Sequence, residues 1–136
     1  MGTYIPAKLR RLVYELADRR CEYCLIPEIA VLAAHEVDHI ISQKHGGSTE
    51  SENLALSCAL CNKRKGSDIA SLDEETGDIV ALYHPRRERW LDHFQLADSH
   101  IIPLTPTGRV TVRLLQLNSL NRIEERELLI AAGIFT

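Results

Sequence analysis

The sequence predicts an α+β fold, and three observations support that class. Apolar residues recur at helical spacing near both ends of the 136-residue chain. Between these ends lie short runs rich in Val, Ile and Ala that are bounded by glycine-containing turns, a pattern typical of short antiparallel strands. Four cysteines form two CxxC pairs, Cys21/Cys24 and Cys58/Cys61, which enclose the first strand-like run.

The two CxxC pairs predict a structural zinc site. Each pair offers two thiolates to one side of an ion, and two pairs separated by a loop complete a tetrahedral Zn²⁺ shell. Such a shell leaves no coordination position for a substrate, so we expect the chemistry between the pairs and just after them. Two disulfides are the alternative, which a reducing compartment disfavours.

Length and composition indicate one globular domain, residues 1–136. The start, MGTYIP, lacks the features of a signal peptide or a myristoylation signal, and no apolar run is long enough to span a bilayer. We therefore expect a cytoplasmic protein with no membrane partner. The formal net charge of −3 argues against a non-specific nucleic-acid coat, because such proteins carry a surplus of Lys and Arg.

Residues 1–20 are predicted to form an N-terminal helix that begins near Pro6, because proline suits the first helical turn. The apolar positions at i, i+3, i+4 and i+7 are Leu9, Leu12, Val13 and Leu16. This stripe should pack on the core, and the helix, ending near Arg20, should bring Cys21 to the metal.

Residues 21–72 are predicted to form the zinc-bound core. Residues 30–41 have the composition of a strand, a Gly46-Gly47 loop follows, and residues 53–56 return as a second strand. This order predicts a β-hairpin. A short helix over about 59–71 should follow the second CxxC pair.

Residues 73–136 are predicted to form a C-terminal extension with a small antiparallel sheet and helices. A turn at Thr76-Gly77-Asp78 precedes a strand over 79–83, and two further strands should pair across Ala97-Asp98-Ser99. Those two strands are expected over Phe94–Leu96 and His100–Leu104.

Two helices are predicted to end the chain. Thr105-Pro106 has the form of an N-cap followed by proline at the first helical position, although Val110 and Val112 also alternate as in a strand. Asn121 with Glu124 resembles a capping pair for a last helix that runs to about Ala132. The other apolar positions of the first helix are Leu114 and Leu117. The second helix is expected to stop at Gly133.

The motifs between Cys21 and Gly66 resemble those of the HNH endonuclease family in its zinc-stapled form. They are Asp38-His39-Ile40, Gly46-Gly47, Asn53-Leu54 and Cys58-x-x-Cys61-Asn62-x-x-Lys65-Gly66. The resemblance implies a ββα-metal fold and a metal-dependent endonuclease that acts on DNA. The family usually has His at the last motif position, so Asn62 makes this chain an HNN variant.

Residue chemistry agrees with that resemblance. The Asp38 carboxylate and the Asn62 amide carbonyl are hard oxygen ligands that suit one Mg²⁺ or Mn²⁺ ion. His39, with an ordinary pKa of about 6.5, is the expected general base at neutral pH. The resemblance implies that Asn53 ties the loop together and fixes His39. For the substrate phosphate, the expected contacts are Lys65 and, more weakly, Arg64.

Several alternatives stay open at this stage. A non-catalytic treble-clef zinc module that binds nucleic acid or protein would also have the four cysteines, and only Asp38, His39, Asn53 and Asn62 distinguish the nuclease from it. A zinc deaminase is disfavoured because the zinc shell is closed. Glu36 shares a strand face with Asp38, so it is either a second acidic group near the ion or a solvated residue. A packing cluster is preferred over base stacking for Trp90, His93 and Phe94.

Overall fold

The computed structural model describes residues 4–135; Met1 to Thr3, on which the export argument partly rests, lie outside this range. The α+β class is confirmed. The helices are α1 (Ala7–Leu16), α2 (Ala59–Lys65), α3 (Trp90–His93), α4 (Pro106–Leu114) and α5 (Leu120–Ala131). The strands are β1 (Glu36–His39), β2 (Leu54–Ser57), β3 (Ala70–Leu72), β4 (Ile79–Ala81), β5 (Phe94–Ala97) and β6 (His100–Pro103). Within residues 4–135, no helix is long and apolar enough to cross a bilayer.

Helix α1 is shorter than predicted and buries a different stripe. It ends at Leu16, because Asp18 and Arg19 adopt positive φ angles of 52° and 56° that no helix continues. Its buried face is the i, i+4 row of Leu9, Val13 and Ala17, whereas the predicted core residues Leu12 and Leu16 are 40% and 53% exposed. These contacts hold α1 against the two strands that follow it. Full burial of the Val13 side chain contributes about 1.5–3 kcal/mol to the free energy of unfolding.

The predicted β-hairpin is confirmed, but its first strand begins later than expected. β1 pairs antiparallel with β2, with Asp38 opposite Ala55 and His39 opposite Leu54. Residues 30–35 are not a strand, because a short 3-10 turn at Glu28–Ala30 follows Pro27 and the Glu28 carboxylate accepts a hydrogen bond from the His35 N–H. That bond, 2.9 Å long, fixes the point at which β1 begins.

Helix α2 is also shorter than predicted. Gly66 leaves it with a φ of 51°, a conformation that glycine adopts at little cost, so the helix stops at Lys65. The last predicted helical residues instead form β3, which pairs with β4 through the expected turn at Thr76-Gly77. Gly77 has a φ of 79° there.

The C-terminal predictions are largely confirmed. β5 and β6 form a hairpin, and α4 begins after Thr105, whose hydroxyl accepts a 3.0 Å hydrogen bond from the Gly108 N–H. The competing strand over Val110 and Val112 is therefore wrong. α5 follows Ser119, so the predicted N-cap at Asn121 is displaced by two residues, while the helix ends at Ala131 as expected.

The larger apolar cluster joins the four cysteines to the C-terminal extension. Its members outside the cysteines include Tyr23, Ile26, Leu82, Tyr83, Phe94, Ile101, Val110, Leu115 and Leu117. Trp90 packs at its edge, 5.1 Å from Phe94 between ring centroids, and donates a 3.0 Å hydrogen bond to the Tyr23 carbonyl. The extension therefore packs on the cysteine-containing segment through a shared core, and the packing role predicted for Trp90 and Phe94 is confirmed.

Candidate metal centres and active site

The four cysteines form one buried cluster. All four are free thiols, and their sulfur atoms lie within 4.8 Å of one another. Cys24 Sγ and Cys58 Sγ are 3.7 Å apart. A tetrahedron with Zn–S bonds of about 2.3 Å has edges of about 3.8 Å, whereas a disulfide brings its sulfurs to about 2.0 Å. The cluster thus fits a zinc ion, and the alternative of two disulfides is wrong.

Local backbone geometry turns each CxxC pair toward the centre. Leu25 has a φ of 66° and its N–H donates to the Cys21 carbonyl, while the Cys21 N–H donates to the Ile26 carbonyl at 2.9 Å. In the second pair, Cys58 is the N-cap of α2 and its sulfur accepts a hydrogen bond from the Cys61 N–H at 3.5 Å. Each CxxC pair with its flanking turn, called a knuckle below, therefore directs both of its sulfur atoms toward the centre of the cluster.

A second group of polar side chains lies where β1 faces α2. The Asn62 Nδ2 atom donates a 3.0 Å hydrogen bond to the Glu36 carboxylate. In the part of the chain that the structure describes, no donor contacts the Asn62 Oδ1 atom, so this oxygen stays available as an acceptor. Residues at i and i+2 of a strand share a face, so Asp38 lies on the face that Asn62 approaches. Within residues 4–135, no side chain donates a hydrogen bond or forms an ion pair with the half-buried Asp38 carboxylate.

His39 is the last residue of β1 and is oriented by the loop that follows. Its Nε2 atom lies 2.9 Å from the Thr49 hydroxyl. When Nε2 carries the proton and donates to Thr49, the Nδ1 atom is left unprotonated and able to accept a proton. The contact with Thr49 is compatible with the tautomer that a general base requires, because a hydroxyl oxygen can accept a hydrogen bond from Nε2–H.

The buried Asn53 side chain holds that loop through hydrogen bonds to its backbone. This side chain makes three hydrogen bonds: with the Ile41 N–H at 2.9 Å, the Ile41 carbonyl at 2.9 Å and the Ser48 carbonyl at 2.8 Å. Gly47 lies against the same atoms, and a Cβ at this position would overlap the Ile41 carbonyl. The Asn53 amide thus closes the loop. It can do so because residue 47 is a glycine and has no side chain.

Residues 21–68 match the family model described as HNH endonuclease. Residues 21–68 are therefore similar to an HNH domain, and the name HNH domain denotes this segment below. The match covers about a third of the chain and contains all four cysteines as well as Asp38, His39, Asn53 and Asn62. No curated protein and no solved structure matches the chain in the comparisons made.

The two basic residues expected to contact phosphate already have partners within the protein. Lys65 is buried, and its Nζ atom donates a 2.7 Å hydrogen bond to the Ile40 carbonyl. Burial lowers the pKa of Lys65, although Asp38 and Asp68 act in the opposite direction. Arg64 approaches the Leu115 and Gln116 carbonyls at 3.4 and 3.3 Å. Lys65 therefore supports the strand end beside His39, and Arg64 ties α2 to the end of α4.

Two contacts in the HNH domain were missed at the sequence level. Thr49 was not singled out, because a threonine in a polar loop has no sequence signature of its own. The Glu36–Asn62 hydrogen bond joins residues 26 positions apart, although strand alternation did place Glu36 on the correct face. Strand alternation identifies Glu36 as a neighbour of Asp38, but it does not identify Asn62 as the hydrogen-bond partner of Glu36.

Proposed function

We propose that this protein is a metal-dependent HNH endonuclease that hydrolyses phosphodiester bonds in DNA. The observation that supports the proposal most strongly is the unpaired oxygen pair on one face of the HNH domain. Asp38 and Asn62 each present an oxygen that no described side chain occupies, and Glu36 fixes the amide so that its oxygen, not its nitrogen, is available. A non-catalytic zinc module has no use for that arrangement.

Asp38 and Asn62 are proposed to hold one Mg²⁺ or Mn²⁺ ion. Carboxylate and amide oxygens are hard ligands that these ions prefer, and two protein ligands leave positions for water and phosphate. When bound, such an ion neutralises charge on the phosphate oxygens and stabilises the leaving oxygen. The bond from Asn62 to Glu36 holds the amide in the orientation that coordination needs.

His39 is proposed to accept a proton from the attacking water at Nδ1. Thr49 holds the opposite ring nitrogen, and Asn53 holds the loop that contains Thr49 by its bond to Ser48. The imidazole is therefore placed before substrate arrives, which avoids an entropic cost during the reaction. Asn53 acts in this scheme as a positioning residue, because its polar atoms are already paired with the backbone.

Phosphate binding is proposed to involve a different lysine from the one expected. Lys63 is exposed on α2 beside Asn62 and has no partner among the described residues, whereas Lys65 points inward. A flexible ammonium group at the surface suits the backbone of DNA. The cysteine cluster has a separate, structural role in this proposal, because its closed shell offers no site for substrate.

The test uses supercoiled plasmid DNA incubated with purified protein and EDTA, Mg²⁺ or Mn²⁺. We expect nicking or linearisation that depends on the divalent ion. His39→Ala should reduce the rate by about a hundredfold to ten-thousandfold, because a general base contributes that much. His45→Ala is the matched control, since His45 is exposed on the adjacent loop.

The zinc content and the circular dichroism spectrum of His39→Ala should equal those of the wild-type protein. Undiminished cleavage by a folded His39→Ala variant would contradict the assignment of the base. Binding of DNA without cleavage in any ion, by zinc-loaded wild-type protein, would favour the binding-module alternative.

A further inference from the structure

The zinc cluster has a cationic neighbour from the far end of the chain. Arg122 lies on α5 and is only 3% exposed. Its Nη2 atom is 2.9 Å from Cys24 Sγ, and its Nη1 atom is 3.7 and 3.8 Å from the sulfurs of Cys58 and Cys61. One guanidinium group therefore faces three of the four thiol groups.

Electrostatics gives this contact a consequence for metal binding. Four thiolates around one divalent ion leave two formal negative charges in a buried position. A buried charge without a partner is costly, and a hydrogen-bonded cation reduces that cost. Arginine suits the task because it is always protonated and presents several N–H donors at once. Arg122 is the residue whose guanidinium donates to this cluster within residues 4–135.

Arg122 also lines a crevice that reaches one of the four cysteines. A crevice of about 170 Å³ reaches Cys58 and is lined by Arg122 and Glu125 as well as by apolar residues. Glu125 approaches the Arg122 Nε atom at 3.4 Å and so holds the guanidinium from outside. Arg122 and Cys58 therefore line the same crevice.

Arg126, the next buried arginine on α5, forms hydrogen bonds with different groups. Arg126 lies one turn further along α5 and is 2% exposed. It donates to the backbone carbonyls of Ser99, at 2.6 Å, and Leu117. Arg126 thus fastens α5 to the rest of the extension without a hydrogen bond to a thiol, which makes it a matched control for Arg122.

We propose that Arg122 is an outer-sphere part of the zinc site, and that through it the C-terminal extension helps to retain the ion. By donating to the thiolates, it lowers their electron density and slows their exchange with competing ligands. In return, the bound zinc holds α5 against the HNH domain. The proposal concerns zinc alone and does not depend on the nuclease activity.

The first test is spectroscopic and uses Co²⁺ in place of Zn²⁺. Thiolate-to-cobalt charge-transfer bands report the electron density on sulfur. Arg122→Met should shift these bands to lower energy, because the thiolates lose their hydrogen-bond donor. Arg122→Lys should restore part of the shift, and Arg126→Met should leave the bands at the wild-type position. Identical bands in Arg122→Met and wild-type protein would overturn the proposal.

The second test measures zinc retention with a chelating dye. We expect zinc affinity to fall about ten- to a hundredfold in Arg122→Met, as is usual when an outer partner of a metal ligand is removed. If Arg122→Met does not fold, Arg122→Gln replaces it, since it keeps an N–H donor and lacks the charge. An equal loss of zinc in Arg126→Met would reduce Arg122 to a packing role and overturn the proposal.

The third test follows α5 itself. Removal of zinc from wild-type protein should increase amide hydrogen exchange throughout Leu120–Ala131, because the helix loses the charge that its arginine contacts. Exchange in α5 that is unchanged by complete removal of zinc would contradict the coupling.

Discussion

The contact between Glu36 and Asn62 shows how one hydrogen bond decides the chemistry of an amide. An asparagine side chain has an acceptor and a donor of nearly equal size, and only the acceptor can bind a cation. Glu36 accepts the hydrogen bond from Nδ2 at 3.0 Å, so the oxygen is the atom of the amide that stays available to a cation. At the position where the HNH family usually has histidine, this chain has Asn62, and Glu36 holds the amide of this proposed ligand.

Substitution of Glu36 should therefore change the dependence on the divalent ion. Glu36→Ala should lower metal affinity or activity by about ten- to a hundredfold, whereas Glu36→Gln keeps an acceptor oxygen for Asn62 and should retain most of the activity. The measurement is the plasmid cleavage rate as a function of Mg²⁺ concentration, with zinc content as the control. If Glu36→Gln is as impaired as Glu36→Ala, Glu36 is itself a ligand of the ion.

At the scale of elements, the Asp73 carboxylate helps to hold the β3–β4 turn to α4, together with the Glu75–Arg109 and Glu74–Arg113 ion pairs. Arg109 donates to both oxygens of Asp73 at 2.9 Å, and the Thr76 hydroxyl donates at 2.8 Å. The bonds from Arg109 hold the pKa of Asp73 well below its usual range, against the opposing effect of burial, and Thr76 acts in the same direction as Arg109. The turn and the helix are thus joined by an interaction that requires the ionised carboxylate.

The sign of the pH dependence follows from the lowered pKa. A depressed pKa in the folded state contributes stability above the unfolded pKa of about 3.9, and that stability is lost only as pH falls from there through the folded value. Asp73→Asn should therefore unfold at lower urea concentration than wild type, by a margin that stays constant between pH 8 and 6. Asp78→Asn, an exposed carboxylate in the same turn, should show no such margin. A margin for Asp73→Asn that disappears within this pH range would contradict the assignment.

At the scale of the whole molecule, the HNH domain and the extension share one core and several polar bonds. Glu22, between the first pair of cysteines, accepts a 2.7 Å hydrogen bond from the Leu56 N–H and a second of 2.7 Å from Arg86 of the extension. Trp90 of the extension donates to the Tyr23 carbonyl in the same knuckle. The first CxxC pair, with the residues between its cysteines, thus contacts both β2 and the segment that follows β4.

Removal of zinc should for this reason disturb the extension as well as the HNH domain. The single tryptophan, Trp90, reports on the first knuckle, so we expect its emission to move to longer wavelength when a chelator removes zinc. Added Zn²⁺ should reverse the change, and Mg²⁺ should not. Unchanged emission after complete loss of zinc would show that the knuckle is stable without the ion.

Much of this organisation is encoded locally. The CxxC spacing shapes each knuckle within a few residues, Thr105-Pro106 starts α4, and the Thr76-Gly77 turn joins β3 to β4. These features depend on neighbouring residues, so their patterns are visible in the sequence. Helix ends were less predictable, because the stops after Leu16 and Lys65 depend on φ angles of single residues.

By itself, then, the sequence determined the α+β class, the grouping of the four cysteines, the β-hairpin and the HNH motif. Only the tertiary structure decided that Lys65 turns inward, that Glu36 orients Asn62, and that Arg122 meets a cysteine 98 positions earlier in the chain. The physical reason is that closing a long loop costs little more than closing a short one, so distance along the chain does not indicate which side chains meet. Packing of the elements brings those partners together, and the contacts around the cysteine cluster and beside Asn62 arise at that level.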